Sequence, residues 1–351
     1  MIQRRKSKQI QIGNVKIGAD APISVQSMTN TDTRDVKSTL KQIYNLHEHG
    51  CELVRLAILN SDAADAVKEL KKKSPLPLIA DIHFDYRLAI KCIENGIDAL
   101  RINPGNIGRE ERTKKVAALA KTNNIPIRIG INGGSLEKDI EQMNIPLAEK
   151  MVMSAMSHVK ILEDNNFDKI KISLKSSDVL TTIEAYRLIA QKVDYPLHLG
   201  VTEAGTYIGG MVKSAVGLGT LLAEGIGDTI RVSLTDSPVE EVKAGFMILK
   251  SLGLRQRGIN FVSCPTCGRT QIDLISLAKE VEKRLENFDK PLTIAIMGCA
   301  VNGPGEAKHA DYGIAGGIKE GYIFKKGEII MKLPEEKLVE EFVNLIHLEN
   351  V

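Results

Sequence analysis

The sequence predicts a (β/α)8 TIM barrel followed by a small α+β domain, and two patterns in its 351 residues carry that prediction. First, eight strand-like runs occur between positions 23 and 235, and seven of them follow a helix-like run. Strands that alternate with helices form parallel sheets through right-handed crossovers, and eight such units close a barrel of ~250 residues. Second, a segment of different pattern follows and carries three of the five cysteines. A doubly wound open sheet is the alternative for the first part, although it rarely needs eight regular units.

The composition excludes several classes of protein. The hydrophobic fraction of 43% is ordinary for a globular chain, and a core with no Trp and 4% aromatic residues must be aliphatic. A net charge of +3 is too balanced for a general nucleic-acid binder. No apolar run approaches the ~18 residues of a membrane span, and no apolar signal core follows the basic start. We therefore expect a cytoplasmic protein without nucleic-acid or membrane partners, whose clustered cysteines serve metal or redox chemistry.

The predicted barrel domain consists of a hairpin followed by alternating strands and helices. Apolar and polar residues alternate over 8–19 around Gly13-Asn14, which predicts a hairpin that caps one end of the barrel. Helical spacing over 35–49 begins near Thr33, a candidate cap, and ends before Gly50. The predicted strands are 23–29, 53–59, 76–83, 99–103, 125–132, 169–175, 196–202 and 229–235.

Alternation along the strands decides which side chains face the lumen. In the sixth strand, Ile170, Ile172 and Leu174 share one face, so Lys171 and Lys175 share the other with Ser173. The apolar face must meet the helices, so the lysines point inward. The same test places five cations from five strands in one lumen: Arg55, Arg101, Arg128, Lys175 and Arg231. It also turns inward the polar residues Asp81, His83, Asn132, His198, Thr202 and Ser233.

These five cations predict an anionic ligand. A single cation is explained better by a charge that reaches solvent at a strand end, but five converging like charges are costly without a counter-anion. A phosphorylated substrate is the simplest one, because guanidinium groups bind phosphate in a bidentate geometry. Asp81 and Glu203, near the same mouth, either orient hydroxyls and move protons or only pair with the arginines.

The barrel domain is predicted to span 1–252 and the second domain 253–351, joined by a linker near 251–258. The second domain is expected to contain strands 259–262, 292–297 and 312–315, a hairpin of 322–324 and 329–332 turning at Lys326-Gly327, and helices 271–285 and 335–348.

Three cysteines form the centre of this second domain: Cys264 and Cys267 in a Cys-Pro-Thr-Cys-Gly run, and Cys299 after an apolar strand. A zinc site needs a fourth ligand, for which His309 is the nearby histidine. Glu306, held by a Gly-Pro-Gly turn, is the alternative and suits an Fe–S cluster with one less tightly held iron. The spacing leaves zinc and Fe–S equally open, with a redox dithiol as a third reading. The two other cysteines, Cys51 and Cys92, are expected to be buried free thiols.

The linker also predicts an oligomer. TIM-barrel active sites lie at the carboxyl ends of the strands, whereas the chain leaves the last helix at the opposite face. A linker of about seven residues reaches at most ~25 Å. A second subunit, placed head to tail, would deliver its cysteine domain to the barrel's mouth more easily than the same chain.

Several long stretches match a known family. They are Val25-Gln-Ser-Met-Thr-Asn-Thr-Asp-Thr33, Ala80-Asp-Ile-His-Phe-Asp85, Arg101-Ile-Asn-Pro-Gly-Asn106, Arg128-Ile-Gly-Ile-Asn-Gly-Gly-Ser135, Gly200-Val-Thr-Glu-Ala-Gly205, Cys264-Pro-Thr-Cys-Gly268 and Met297-Gly-Cys-Ala-Val-Asn-Gly-Pro-Gly-Glu306. Through them the chain resembles, along essentially its whole length, the bacterial two-domain 4-hydroxy-3-methylbut-2-enyl diphosphate synthases of the non-mevalonate isoprenoid pathway.

The resemblance implies a function and a cofactor. The substrate would be 2-C-methyl-D-erythritol 2,4-cyclodiphosphate, opened by a two-electron reductive dehydration with electrons from flavodoxin or ferredoxin. A [4Fe–4S] cluster would be held by Cys264, Cys267, Cys299 and Glu306, in a head-to-tail homodimer. The five lumen cations would clamp the diphosphate, with hydrogen bonds from His83, Asn132 and Ser233, while Glu306, Asp81 or Glu203 would handle protons.

Two other classes fit the residues without the resemblance. One is a zinc-dependent methyltransferase barrel that binds a pterin or corrinoid, and the other is a non-catalytic binding protein with a structural zinc domain. Both predict a colourless protein, whereas an Fe–S enzyme absorbs visible light and bleaches on reduction.

Overall fold

A computed structural model describes residues 2–102, 110–286, 288–299 and 308–350. The chain divides into two compact units, Met1–Arg255 and Gln256–Val351. Each unit has its own apolar core. None of the helices within the described ranges combines the length and the apolarity that a membrane crossing needs.

The first unit begins with a hairpin and continues as a parallel barrel. Strands β1 (Ile10–Ile12) and β2 (Val15–Ile17) pair antiparallel, and Gly13 takes a φ of +55° at their turn. The barrel strands that follow are β3 (Ser24–Met28), β4 (Leu53–Ala57), β5 (Leu78–Asp81), β6 (Ala99–Ile102), β7 (Ile127–Asn132), β8 (Ile170–Lys175), β9 (His198–Leu199) and β10 (Thr229–Ile230). Their order is β8-β7-β6-β5-β4-β3-β10-β9, and a parallel bridge from Ile172 to Leu197 joins the two ends. The predicted TIM barrel is confirmed.

Helices cover the outside of the barrel. They are α1 (Val36–Glu48), α2 (Ser61–Lys73), α3 (Tyr86–Glu94), α4 (Glu110–Thr122), α5 (Lys138–Glu141), α6 (Leu147–Glu163), α7 (Val179–Ala190), α8 (Tyr207–Ala223) and α9 (Pro238–Ser251). The predicted cap of α1 was wrong. Asp35 accepts the hydrogen bond from the Ser38 amide, while the Thr33 hydroxyl donates to the carbonyl of Ala57. An acidic side chain is the stronger cap here because it also interacts with the helix dipole.

The barrel wall separates an aliphatic shell from a charged lumen. Outward residues such as Leu56, Ile129 and Ile172 are fully buried against the helices. Inside, the first residues of the strands remain apolar, and Leu53 and Ile79 pack on Ile12 of the hairpin. The hairpin therefore plugs the amino ends of these strands, as its alternation predicts, and the charged side chains lie above this apolar floor.

The second unit is a five-stranded mixed sheet with two helices. Its strands are β11 (Ile259–Ser263), β12 (Leu292–Met297), β13 (Tyr312–Gly316), β14 (Glu320–Lys325) and β15 (Glu328–Pro334), and its helices are α10 (Leu274–Arg284) and α11 (Glu335–Asn350). β11, β12 and β13 run parallel, and the last three strands pair antiparallel. Lys326 and Gly327 turn the last hairpin at φ values of +49° and +85°, as a tight hairpin turn requires. Every predicted element of this domain occurs, with ends shifted by a few residues.

Candidate active site

The cationic side chains of the barrel converge on one cavity of about 210 Å³. Its wall is formed by Arg55, Asp81, His83, Arg101, Arg128, Asn132, Ser173, Lys175, Thr202, Arg231 and Ser233. The structure thus brings together every barrel residue that the sequence placed in the site except Glu203. Ser173 and Thr202 were predicted to face the lumen by alternation, but their part in the cavity wall was missed.

Asp81 is the carboxylate around which the arginines are arranged. Its side chain is 5% exposed, and its oxygens lie 3.5 Å from Arg55 Nε and 3.2 Å from Arg101 Nη1. His83 Nε2 lies 3.5 Å away on the same carboxylate. Burial acts to raise the pKa of Asp81, but Arg55, the His83 hydrogen bond and Arg101 outweigh it and hold the pKa far below its usual range. Asp81 is therefore ionised, and in the ligand-free protein it orients cations rather than donating a proton.

Positive charge in the lumen exceeds what the described carboxylates balance. Arg128 is 3% exposed, and its Nε and Nη1 have no hydrogen-bond partner within the described ranges. Burial, reinforced by Arg55 and Arg101, lowers the pKa of Arg128 well below its usual value. Burial and then Arg128 and Arg231 do the same to the pKa of Lys175, and burial lowers the pKa of Arg55 to about 10. An anion bound here would relieve this repulsion, so the cavity is a candidate anion site.

A carboxylate on a helix, outside the barrel strands, holds the guanidinium group of Arg231. Glu241, in the first turn of α9 and 5% exposed, accepts hydrogen bonds from Arg231 Nε and Nη2, each at 3.3 Å. The same carboxylate accepts from the Leu234 amide and from the Ser27 hydroxyl. Glu241 carries no signal in the sequence, because a helix residue shows no strand alternation.

Two glycines make room for the cationic side chains. A Cβ at Gly130 would lie 2.5 Å from Arg101 Nε, and a Cβ at Gly200 would lie 2.6 Å from Lys175 Nζ. Both positions face the lumen beside a long side chain that crosses it. Glycine is needed at both because any larger residue would displace the charged group.

Glu203 stands apart from the described cavity wall. It is exposed on the loop after β9 and takes a left-handed φ of +52°, which is uncommon for a residue other than glycine. Such conformations concentrate at functional sites, which is consistent with a role for this loop. Because Glu203 does not line the described cavity, its role in proton transfer stays a prediction.

The second unit places sulfur donors at one end of its sheet. Cys264 follows β11 directly and Cys299 lies two residues beyond the neighbouring parallel strand β12. The Gly298 amide donates to Cys264 Sγ at 3.2 Å, and the Cys267 amide donates to Thr270 Oγ1 at 3.1 Å. All three cysteines are free.

These sulfur donors suit a soft metal centre. Hydrogen bonds from the backbone and side chain of Arg269 lower the pKa of Cys267, which favours the thiolate that a metal requires. Within the described ranges, no group of three or more His, Cys, Asp or Glu side chains is close enough to hold a metal ion. Glu306 lies outside the described residues, and His309 is exposed.

The remaining two cysteines behave as predicted. Cys51 and Cys92 are buried and free, and burial raises the pKa of each thiol to about 12. They are protonated and unreactive near neutral pH.

Fold and site together define a TIM-barrel protein with a cationic lumen and a second, cysteine-bearing α+β unit. The chain belongs to the GcpE family. The GcpE TIM-barrel domain matches residues 7–246, and the GcpE protein C-terminal domain matches residues 260–348.

Curated relatives match nearly the whole chain in sequence. A protein of Clostridium perfringens is 59% identical over 346 residues, which cover 98% of this chain and 99% of the relative. One of Geobacter sulfurreducens is 59% identical over 341 residues, covering 97% of both, and one of Ruminiclostridium cellulolyticum is 60% identical over 346 residues, covering 98% of both. Each is named 4-hydroxy-3-methylbut-2-en-1-yl diphosphate synthase (flavodoxin), so the family resemblance seen in the sequence is confirmed.

Solved structures support the barrel fold alone. Dihydropteroate synthase from Xanthomonas albilineans matches with a TM-score of 0.51 and 11% identity over 70% of this chain and 99% of that one. The dihydropteroate synthase from Coxiella burnetii gives 0.51 and 10%, covering 71% of this chain and 100% of that one. At such identities the likeness says nothing about substrate.

Proposed function

We propose that this chain is an oxidoreductase that opens 2-C-methyl-D-erythritol 2,4-cyclodiphosphate to 4-hydroxy-3-methylbut-2-enyl diphosphate. The observation that carries the proposal is the cavity of five lumen cations, in a chain whose curated relatives bear that enzyme's name. The reaction consumes two electrons and two protons, breaks the ring carbon–oxygen bond to the diphosphate, and releases a carbon-bound hydroxyl as water. Flavodoxin, named for the relatives, or ferredoxin is the electron donor.

The lumen residues perform the binding step. Arg55, Arg101, Arg128, Lys175 and Arg231 clamp the diphosphate, and His83, Asn132 and Ser233 add hydrogen bonds. When the ring opens, the diphosphate leaves carbon and gains negative charge. Donors fixed around it stabilise this charge more strongly than that of the substrate, which lowers the barrier.

The two protons that the reaction consumes must come from side chains that are protonated when substrate is bound. The low pKa of Asp81 favours a positioning role for it, since its carboxylate already accepts from Arg101 and His83. Glu203 and Glu306 are therefore our candidates for proton donors. The ordinary range of a carboxyl pKa is low, so either donor needs an apolar or anionic setting when substrate is bound.

We assign Cys264, Cys267, Cys299 and Glu306 as ligands of a [4Fe–4S] cluster. When bound, this cluster supplies single electrons and an iron able to exchange its carboxylate ligand. The support for the assignment is the sulfur-rich donor set at the end of β11 and β12 and the thiolate-favouring contact of Cys267 with Arg269.

The quaternary structure and the location complete the proposal. The chain crosses from Ser251, the end of α9, to Ile259, the start of β11, in about seven residues, which span at most ~25 Å. This short connection supports a head-to-tail homodimer in which each barrel uses its partner's cluster domain, and we propose that the dimer is cytoplasmic. Sedimentation should show a dimer. A monomer that remains fully active on dilution would rule out the shared site.

Absorbance of the anaerobically purified full chain tests the proposal. We expect a brown protein whose visible band bleaches with dithionite, and turnover of the cyclic diphosphate. A colourless, zinc-loaded protein would overturn it in favour of a zinc methyltransferase or a binding protein.

Variants separate the ligands from the clamp. Glu306→Ala should give a labile cluster and lost turnover, and Cys299→Ser should lose the visible band, with the buried Cys92→Ser as a matched control that keeps it. Arg128→Leu should mainly raise KM. Normal turnover in Glu306→Ala would remove that residue from the ligand set, and unchanged kinetics in Arg128→Leu would contradict the clamp.

A further inference from the structure

A methionine sulfur lies between two arginines of the lumen. Met28, on the inner face of β3, accepts hydrogen bonds at its Sδ from Arg55 Nε at 3.1 Å and Nη2 at 2.9 Å. Arg231 Nη1 approaches the same sulfur at 3.7 Å. The thioether therefore bridges the guanidinium groups of strands that flank β3 on both sides.

This sulfur completes a chain of contacts that joins two arginines of the cavity wall. Asp81 binds Arg55, Met28 joins Arg55 to Arg231, and Glu241 binds Arg231. A thioether is a weak and uncharged acceptor. It holds the two guanidinium groups in place without neutralising them, so their remaining N–H groups stay available for an anion.

Met28 is also accessible. Its side chain is partly exposed, whereas Met151 and Met297 are 0% and 1% exposed within the described chain. Methionine thioethers are oxidised to sulfoxides, and the sulfoxide is a polar group with a strong acceptor oxygen. At this position the new oxygen would lie among the N–H groups of the clamp.

We propose that Met28 is an oxidative modification site through which a peroxide weakens anion binding in the lumen. The sulfur lone pair attacks one peroxide oxygen and the O–O bond breaks. The sulfur loses two electrons, and the other oxygen leaves as water after taking up the remaining hydrogen. This inference rests on the proposed function, because it concerns the same anion clamp.

The expected effect follows from competition for donors. The sulfoxide oxygen accepts charge-assisted hydrogen bonds from Arg55 and Arg231, and those N–H groups are then lost to phosphate. Losing one such contact weakens affinity by roughly tenfold or more. A methionine sulfoxide reductase should reverse the loss.

The test measures affinity and not turnover, because peroxide also attacks Fe–S clusters. The full-length chain is treated with hydrogen peroxide, oxygen addition is located by peptide mass spectrometry, and inorganic pyrophosphate binding is measured by calorimetry. Met28→Gln places an amide oxygen at the site without oxidant, and Met28→Leu removes the oxidisable sulfur. Met247→Leu is the matched control, since Met247 is 49% exposed on α9 and the described sulfur contacts of Arg55 and Arg231 are with Met28.

Oxidised wild type and Met247→Leu should bind pyrophosphate about tenfold more weakly than before treatment, and reductase should restore both. Met28→Gln should bind weakly without oxidant, and the affinity of Met28→Leu should not change on treatment. Full affinity in protein oxidised at Met28 would overturn the inference, as would oxidation of Met143, Met153 and Met247 that spares Met28. A failure of untreated wild type to bind pyrophosphate would instead refute the anion clamp itself.

Discussion

Replacing Gly130 by Ala tests whether the crossing side chain of Arg101 is needed for the anion site. The new Cβ would lie 2.5 Å from Arg101 Nε and 3.1 Å from Nη2, so the guanidinium must retreat by about 1 Å to reach ordinary contact. Arg101 is 6% exposed and is bound to Asp81 at 3.2 Å and to the Gly130 carbonyl at 3.2 Å. A shift of that size breaks this geometry and moves the guanidinium away from the ligand.

The magnitude follows from the lost contact. One hydrogen bond between a charged group and its partner contributes about 1.5–3 kcal/mol, which corresponds to roughly a 10- to 100-fold rise in KM for the cyclic diphosphate. The fold should survive, because the displaced atoms are the end of a flexible side chain. The Tm is therefore expected to change little while the affinity falls.

The assay compares KM and pyrophosphate affinity with a matched glycine. Gly219, within α8, meets no atom within 4 Å when a Cβ is added, so Gly219→Ala should keep the affinity and gain up to about 1 kcal/mol of stability from helix propensity. Gly130→Ala with the affinity of wild type would refute the placement of Arg101 in the clamp. An equal loss in both variants would show a general effect of the added methyl group.

Two further predictions concern the charges around the cavity. Glu241→Gln should raise KM about tenfold while changing kcat less, because Arg231 loses a charged partner. Steady-state kinetics will check this against the control Glu240→Gln, which removes the charge of a residue that pairs with Lys243. Equal kinetics in both variants would contradict the positioning role of Glu241. Burial, and then repulsion by Arg128, holds the pKa values of Lys171 and Lys175 below their ordinary 10.5, so the folded protein binds fewer protons than the unfolded chain between the lowered values and 10.5. The free energy of unfolding should therefore rise with pH across that window. Thermal melts over this pH range will compare the slope of wild type with that of Lys171→Met. A steeper rise of stability with pH in the variant would contradict the prediction.

Much of the barrel was predictable because its lumen is polar. In most buried parallel strands both faces are apolar and alternation is lost. Here alternation persists, so Lys175 and Arg128 could be assigned to the lumen from sequence. The predicted strands of 196–202 and 229–235 are longer than β9 and β10, yet their inward residues Thr202 and Ser233 still line the cavity. Alternation thus continues beyond the paired residues, and the hydrogen bond from the Arg231 amide to the Leu199 carbonyl extends the ladder by one residue past Ile230.

What the sequence did not reveal depends on contacts between distant elements. Glu241 reaches Arg231 from a helix, and a helical pattern does not distinguish it from Glu240, which is on the surface. Strand alternation places Met28 in the barrel wall but does not reveal its partners. Its sulfur contacts show that it bridges two guanidinium groups. The three cysteines of the proposed cluster are recognisable from spacing and family motifs, whereas Glu306, the proposed fourth ligand, lies outside the described residues.

The hairpin closes the amino end of the barrel lumen among the described residues, so the cationic cavity faces the carboxyl ends of the strands. Ile12 packs against Leu53 and Ile79 at the amino ends of the strands, and Lys171, just above this floor, is 1% exposed. Substrate would therefore enter, and product would leave, at the carboxyl ends of the strands. A product that keeps its diphosphate would compete directly with substrate for the same cations.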